Sequence, residues 1–211
     1  MNSFYVISGL RWVPGRLILA AVVLLTMAAA PLGASSGVPV LQRAAQPAPS
    51  GPDAGTLAEY QERLNLYAAM HQKIEKALPS LPEEATAQQL TDRQRQLMTR
   101  LQAERKNARP GDIFTPAMQT YVRRMMASLF AGNAGKQLRA SIMDENPVSV
   151  KLSVNMPYPT KVPLSTMPPA VLERLPKAPE QLEYRFIGDD LILLDVHAQM
   201  IVDFVEKALP Y

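Results

Sequence analysis

LEYRFIGDDLILLDVHAQMIVDFV, at residues 182–205, specifies its own structure more strongly than any other part of the chain. It contains three short apolar runs, rich in β-branched and aromatic residues, and two interruptions that carry Gly and Asp. Runs of this length between turn-forming residues are typical of strands joined by tight turns. The sequence therefore predicts an antiparallel meander, with strands at residues 182–187, 191–194 and 200–205.

Upstream of the meander, apolar residues recur at spacings of three and four, the period of an amphipathic helix. A first helix is predicted to begin at Thr56, which has the spacing of a capping box with Glu59, and to end before Pro79. A second is predicted to begin near Thr86, with Gln89 as its capping partner. Because the link between them is short, these two helices should form an antiparallel hairpin.

Two further helices and one more strand are predicted before the meander. The third helix should follow Thr115, an N-cap residue with proline behind it, and a shorter fourth should cover residues 135–143. Over residues 148–154 the apolar period changes to two, which predicts a half-buried strand that could join the sheet. A short helix over residues 168–175 leads towards the meander.

The predicted fold class is α+β: a helical hairpin plus two further helices packed on a small antiparallel β-meander of three to four strands. We assign residues 56–145 to the helical region and residues 146–211 to the sheet region, and expect the two to form one domain. Residues 35–55 are rich in Pro, Ala, Gly and Ser, which predicts a disordered tether.

Residues 1–34 have the pattern of an export signal, with basic residues ahead of a short apolar run that ends in small residues. The Ala-x-Ala cleavage site at residues 28–30 is followed directly by proline, so a cut between Ser36 and Gly37 is the second choice. The alternative is an uncleaved membrane anchor. Either interpretation places the rest of the chain outside the cytoplasm, periplasmic if the signal is cleaved and attached to the inner membrane if it is not. The residues that carry the signal are Arg11, Arg16, Ala28, Ala30 and Ser36.

Charge is distributed unevenly along the chain. Between Arg93 and Arg139 there are ten basic residues against two acidic ones, whereas residues 173–211 hold eight acidic against four basic. The basic side could attract an anionic protein or envelope component, or it could simply be solvated. Nucleic acid is not expected, because few aromatic residues accompany the basic ones. The partner surface would consist of Arg93, Arg100, Arg105, Arg123 and Arg124.

The apolar stripe of the first helix has two interpretations. It could be the seam of a homodimer, or it could pack on a neighbouring element of the same chain. His71 continues this stripe, which predicts a half-buried, hydrogen-bonded histidine rather than a catalytic one. The residues of the possible seam are Leu57, Tyr60, Leu64 and Tyr67.

Motifs for common enzyme chemistries are absent from the sequence. There is no cysteine, P-loop, Gly-x-Ser-x-Gly or His-Glu-x-x-His, so neither a catalytic residue nor a cofactor is predicted. Asp195 and His197, in the second turn of the meander, are weak candidates for metal ligands. Asp189, Asp190 and Asp203 could join them only if the two turns converged, but the turns of a meander lie at opposite ends of the middle strand.

Two stretches resemble a group of exported bacterial proteins of unassigned function. One is RPGDIFTP at residues 109–116, and the other is LEYRFIGDDLILLD at residues 182–195 with Ile-Val-Asp at residues 201–203. The resemblance covers roughly residues 55–210 and implies a helical first half, but no catalytic residues. The meander alone is also similar to the small β-module of periplasmic proteins like the nickel/cobalt-homeostasis regulators, through a generic strand–turn–strand pattern.

Three functions follow from these patterns. The first is a non-enzymatic exported protein of the cell envelope that binds a partner or contributes to envelope structure, with membrane contact only through its N-terminal segment. The alternative is a periplasmic metal-binding or metal-stress protein. A second alternative is an envelope hydrolase whose site matches no known motif.

Overall fold

The computed structural model describes residues 51–145, 150–163 and 166–210, which belong to one compact unit. The predicted signal over residues 1–34, most of the tether and residues 148–149 of the predicted extra strand lie outside the described residues. The α+β class is confirmed. The helices are α1 (Ala54–Lys76), α2 (Ala87–Glu104), α3 (Pro116–Leu129), α4 (Gly132–Glu145) and α5 (Pro169–Leu172); the strands are β1 (Leu182–Ile187), β2 (Asp190–Asp195) and β3 (Met200–Val205).

The predicted meander is present, as an antiparallel sheet in the order β1-β2-β3. Leu182 lies opposite Asp195, and Ile187 lies opposite Asp190, so β2 extends one residue further at each end than the sequence indicated. The first turn depends on Gly188, whose positive φ of 58° favours glycine.

Both faces of the sheet are buried. Leu191 and Leu193 of β2 pack in the core on the helical side, whereas Ile192 and Leu194 pack in a second cluster with Tyr158. This alternation is the period of two expected for a strand. Asp195 continues the helical side, and its carboxylate accepts a hydrogen bond from the side chain of an α1 residue.

A β-bulge interrupts the pairing of β2 with β3. Leu193 pairs with Asp203 but Leu194 pairs with Ile201, which leaves Val202 as the extra residue. The Val202 side chain lies in the core on the helical side, and Asp203 also points away from the second cluster to reach the loop before α3. The bulge therefore directs two successive side chains to the same face.

The Asp203 carboxylate binds the RPGDIFTP loop to the sheet. Its Oδ1 accepts the backbone N–H of Gly111 at 3.0 Å and of Phe204 at 2.9 Å, and its Oδ2 accepts those of Ile113 and Phe114, each at 2.8 Å. Burial raises the pKa of Asp203, and the four backbone donors oppose that shift. The two stretches that carry the family resemblance are thus in direct contact.

The strand predicted over residues 148–154 is not formed in its described part. Val150, Leu152 and Val154 alternate in burial as predicted and pack against the second cluster, but they join no ladder. Pairing with β3 begins only afterwards: the Asn155 N–H donates to the Ile201 carbonyl at 2.8 Å. Prolines, which have no N–H, follow at once and restrict this pairing to an isolated bridge.

Two of the three predicted N-caps are confirmed. Thr86 forms a capping box with Gln89, and Thr115 accepts the Met118 N–H at 3.4 Å. The prediction for α1 is wrong: the helix begins at Ala54, inside the segment we assigned to the tether, and Glu59 pairs with Arg63 at 2.7 Å. Helix α4 is longer than predicted and α5 is shorter.

The apolar stripe of α1 belongs to the core of its own chain. Tyr60, Leu64 and Tyr67 are 1%, 0% and 3% exposed, and Leu57 is partly buried against the same cluster. Of the two interpretations of this stripe, its burial supports packing on neighbouring elements of the same chain rather than a dimer seam. A homodimer stays a prediction and would need another surface.

Gly135 allows α4 to approach the end of α3. A Cβ at this position would lie 2.2 Å from the carbonyl carbon of Phe130, which is backbone and cannot rotate away. Gly135→Ala should therefore lower the free energy of unfolding by about 1–3 kcal/mol, as overpacking does. Gly55→Ala is the matched control, because a Cβ there meets nothing within 4 Å. Urea denaturation of both variants tests this, and equal stability would contradict it.

Candidate metal centre

Three potential metal ligands converge where the end of α1 meets the turn between β2 and β3. His71 and Glu75 lie one turn apart on α1, and His197 lies in the β2–β3 turn. One ligand atom from each residue lies within 4.8 Å of the other two.

The periodicities of the two elements bring these residues together. His71 continues the buried stripe of α1, and Glu75 follows four residues later, so the two side chains are neighbours on the helix surface. Asp195 is the last residue of β2 on the helical side of the sheet. The turn that follows it carries His197 back towards Glu75.

The distances suit a small tetrahedral ion. Glu75 Oε1 lies 3.2 Å from Nδ1 of His197, and Glu75 Oε2 lies 3.6 Å from Nδ1 of His71. Bonds of about 2.0–2.1 Å to tetrahedral zinc place ligand atoms about 3.3 Å apart. The two histidine rings have their centroids 5.2 Å apart. One ligand atom from each of the three residues lies within 4.8 Å of the other two, so the side chains surround a common point on which they could close around an ion.

His71 supplies the strongest evidence for a metal site. It is fully buried, yet neither of its ring nitrogens makes a well-aligned hydrogen bond to any described residue. Its Nε2 lies 3.3 Å from Asp195 Oδ2, which is close enough for an ion pair but is not aligned as a hydrogen bond. Buried polar atoms are almost always paired, so an imidazole left this way beside a carboxylate and a second imidazole suits a cation.

Solvent can reach one side of the trio formed by His71, Glu75 and His197. The side chains of Glu75 and His197 are 29% and 39% exposed, whereas that of His71 is 0% exposed. One ligand is thus fixed in the core and two lie at the surface. An ion could enter from solvent and keep at least one coordination position open to it.

Asp195 lies behind His71 and is not part of the trio. Its Oδ1 accepts the Ala198 N–H at 2.8 Å, and its Oδ2 accepts the Tyr67 hydroxyl at 2.6 Å. Burial, with a further contribution from Asp195, raises the pKa of Tyr67, so the phenol remains a donor at neutral pH. Of the two candidate ligands that the sequence indicated, His197 lies in the cluster, whereas Asp195 lies behind it, next to His71.

The remaining carboxylates of the meander lie elsewhere. Asp189 lies in the first turn and Asp190 begins β2, at the end of the strand opposite Asp195, where Asp190 accepts the Lys207 N–H at 2.8 Å. Asp203 is committed to the loop before α3. The turns do not converge, as the geometry of a meander predicted.

The sequence interpretation of His71 is partly wrong. The residue is more deeply buried than predicted, and the hydrogen bonds we expected for it are not well formed. The signal that could have identified it is the His-x-x-x-Glu spacing of His71 and Glu75 near the end of a helix. That spacing places two ligands on one helix face, but it becomes informative only when a third ligand faces it.

The five arginines of the predicted partner surface all bind groups of their own chain. Most donate to backbone carbonyl groups: Arg93 to Pro79, Arg100 to Ala77, Arg105 to Val202 and Arg123 to Glu206, while Arg124 pairs with Asp53 at 2.6 Å. Arg105 is half-buried, and its guanidinium is the most engaged of the five, with hydrogen bonds to Val202 and Asn155. A partner surface formed by the other four stays a prediction.

Comparison with known protein families, with characterised proteins and with solved structures finds no match to this chain. The resemblance drawn from residues 109–116 and 182–203 therefore stays an expectation. In the described part of the chain, no helix is both long enough and apolar enough to cross a membrane.

Proposed function

We propose that this protein is an exported, non-enzymatic metal-binding protein, in which His71, Glu75 and His197 bind a divalent late first-row transition metal, with zinc as the first choice. The observation that carries the proposal is the fully buried His71, whose ring nitrogens lack well-aligned partners beside a carboxylate and a second imidazole. Export rests on the sequence pattern of residues 1–34.

The chemistry of the donors supports this choice of ion. Imidazole nitrogen suits Zn²⁺, Ni²⁺ and Cu²⁺, whereas Ca²⁺ and Mg²⁺ prefer sites made of oxygen. The donors are two imidazole nitrogens and one carboxylate. The Glu75 oxygens lie 3.2 Å from Nδ1 of His197 and 3.6 Å from Nδ1 of His71, which matches tetrahedral zinc better than a larger ion with six to eight ligands. The partner-binding role that the sequence ranks first is what remains if no metal binds.

Calorimetric titration tests the proposal. Protein recovered from the envelope fraction and stripped with a chelator should bind Zn²⁺ with a stoichiometry of one and give no heat with Ca²⁺ at the same concentration. Glu75→Gln and His197→Ala should each weaken Zn²⁺ binding by at least about tenfold, because even the loss of an outer-shell partner costs that much. Both side chains lie at the surface, so these changes should leave the fold intact.

The matched control is Glu59→Gln, the same change on the same helix, at a half-exposed residue that pairs with Arg63. It should bind Zn²⁺ as the wild type does. The proposal is overturned if the wild type binds none of Zn²⁺, Ni²⁺ and Cu²⁺, or if Glu75→Gln and His197→Ala bind as tightly as Glu59→Gln.

A further inference from the structure

We infer that Asp195, held by Tyr67, is a positioning residue that fixes the ring and the tautomer of His71, so that Nε2 carries the proton and Nδ1 is presented to the ion. This inference rests on the proposed function, because it assigns the support of the same metal site. It gives a role to a fully buried carboxylate that donates no ligand to the trio.

The Asp195 carboxylate is held in place on both of its oxygens. Oδ1 accepts the N–H of Ala198, which closes the β2–β3 turn, and Oδ2 accepts the hydroxyl of Tyr67 at 2.6 Å. The backbone of Asp195 is fixed as well, since it pairs with β1 on one side and with β3 on the other. The carboxylate therefore cannot turn towards the surface to ligate the ion itself.

The same oxygen that accepts from Tyr67 lies 3.3 Å from Nε2 of His71. Asp195 is fully buried and lies nearer to the ring than Glu75, whose carboxylate is partly solvated, so the proton is favoured on Nε2 rather than on Nδ1. A small rotation of the ring would align the Nε2–H with Asp195. Nδ1 then keeps its lone pair and faces Glu75 at 3.6 Å. Histidines that ligate metals commonly donate their other N–H to a carboxylate, which orients the ring and makes the ligating nitrogen more basic.

Tyr67 is restrained from its other side. The guanidinium of Arg105 lies over the Tyr67 ring, 5.1 Å from its centroid, and donates to the Val202 carbonyl at 2.8 Å and to Asn155 Oδ1 at 3.0 Å. The phenol is thus packed between a fixed cation and the carboxylate. Its hydroxyl keeps the direction that Asp195 requires.

Asp195→Asn tests the inference through two independent measurements. In metal-free wild type, long-range ¹H–¹⁵N NMR should show His71 as the Nε2–H tautomer. The asparagine amide has one oxygen, whereas the Ala198 N–H, the Tyr67 hydroxyl and the Nε2–H of His71 are three donors. Its NH₂ group can instead donate to Nε2, so the variant should populate the Nδ1–H tautomer. Its affinity for Zn²⁺ should fall by roughly 10- to 100-fold, as expected for loss of an outer-shell carboxylate.

Two further variants separate positioning from a general effect on stability. Asp190→Asn makes the same change at the opposite end of β2 and should alter neither the tautomer nor the affinity. Tyr67→Phe keeps the carboxylate but removes one of its donors, so it should retain the Nε2–H tautomer and weaken Zn²⁺ binding less than Asp195→Asn. Tyr67→Phe also provides the affinity measurement if the Asp195→Asn variant does not fold.

The outcomes distinguish this inference from the proposed function. If wild type binds no transition metal, the proposed function fails, while the tautomer of His71 in metal-free protein still decides whether Asp195 orients the ring. If wild type binds Zn²⁺ but His71 is the Nδ1–H tautomer, or if Asp195→Asn and Tyr67→Phe bind Zn²⁺ within twofold of wild type, the positioning role is overturned and the metal site stands.

Discussion

Replacing Asp203 by alanine should lower the free energy of unfolding by about 3–5 kcal/mol, because several buried N–H groups would lose their acceptor at once. The carboxylate accepts four backbone N–H groups, three of them from the loop that precedes α3. Alanine would leave those donors without an acceptor. Each buried donor that loses its partner costs about 1–3 kcal/mol, although water would reach some of them once the loop loosens.

The consequence would spread beyond the loop, because the loop fixes the start of α3. Phe114 is fully buried and stacks on Tyr60 of α1, with ring centroids 5.1 Å apart. If the backbone around Phe114 detaches from the sheet, the contact between α1 and α3 loosens with it. A loss of this size is a large part of the free energy of unfolding of a typical domain, which is about 5–15 kcal/mol.

Urea denaturation monitored by circular dichroism measures this effect. The free energy of unfolding of Asp203→Asn should lie between those of wild type and Asp203→Ala. The amide keeps one accepting oxygen, but its NH₂ group is a donor that faces other N–H groups. Asp92→Asn is the matched control, because Asp92 lies on the solvent-exposed side of α2, is 43% exposed and pairs with Arg95. That control should stay within about 0.5 kcal/mol of wild type. A loss below 1 kcal/mol for Asp203→Ala would show that the four hydrogen bonds do not hold the loop.

The role of Asp203 also shows how far the sequence could predict this fold. The meander and its turns were predictable, because alternating apolar residues and turn-forming residues act locally. The bulge at Val202 was not, since a single inserted residue leaves the apolar run looking continuous. Without the bulge, alternation would have placed Asp203 on the side of Ile201, away from the loop that it binds.

In its described part, residues 150–154, the predicted fourth strand is not formed, for a related reason. Its period of two correctly predicted which side chains are half-buried, but a strand also needs a partner with free backbone groups. The outer edge of β3 is instead occupied by residues 155–158. Periodicity indicates which side of a segment is buried, and it says nothing about which segment reaches an edge first.

The candidate site was only half predictable. The sequence placed His71 on the buried side of α1, and its pairing with a residue after β2 depends on how α1 packs on the sheet. His197 was a weak candidate for a metal ligand, because it lies in the second turn of the meander near Asp195. Glu75 was overlooked, since a glutamate near the end of a helix is ordinary until a histidine from another element faces it.

Arg105→Ala should give the second large effect, a loss of about 2–4 kcal/mol in the free energy of unfolding. The guanidinium donates to the Val202 carbonyl and to Asn155 Oδ1, and hydrogen bonds from charged groups contribute about 1.5–3 kcal/mol. The Asn155 side chain donates in return to the Arg105 carbonyl at 2.9 Å, which joins the end of α2 to the segment along β3. Burial lowers the pKa of Arg105, which remains charged at neutral pH because arginine does not deprotonate in proteins.

Arg100→Ala is the matched control, because Arg100 is exposed and makes one hydrogen bond, to the Ala77 carbonyl at 3.3 Å. Urea denaturation should place this control within about 0.5 kcal/mol of wild type. Equal losses in the two arginine variants would contradict the structural role of Arg105 and return it to the surface charge that the sequence predicted.

A double variant tests whether the stability losses caused by changing Arg105 and Asp203 depend on each other through the bulge. Arg105 binds the carbonyl of Val202, and Asp203 is the next residue, so the end of α2 and the loop before α3 attach to adjacent positions of one strand. If both attachments depend on the geometry of the bulge, losing either one should weaken the other. The combined loss in Arg105→Ala/Asp203→Asn should then differ from the sum of the single losses by more than about 0.5 kcal/mol, the usual limit for independent sites.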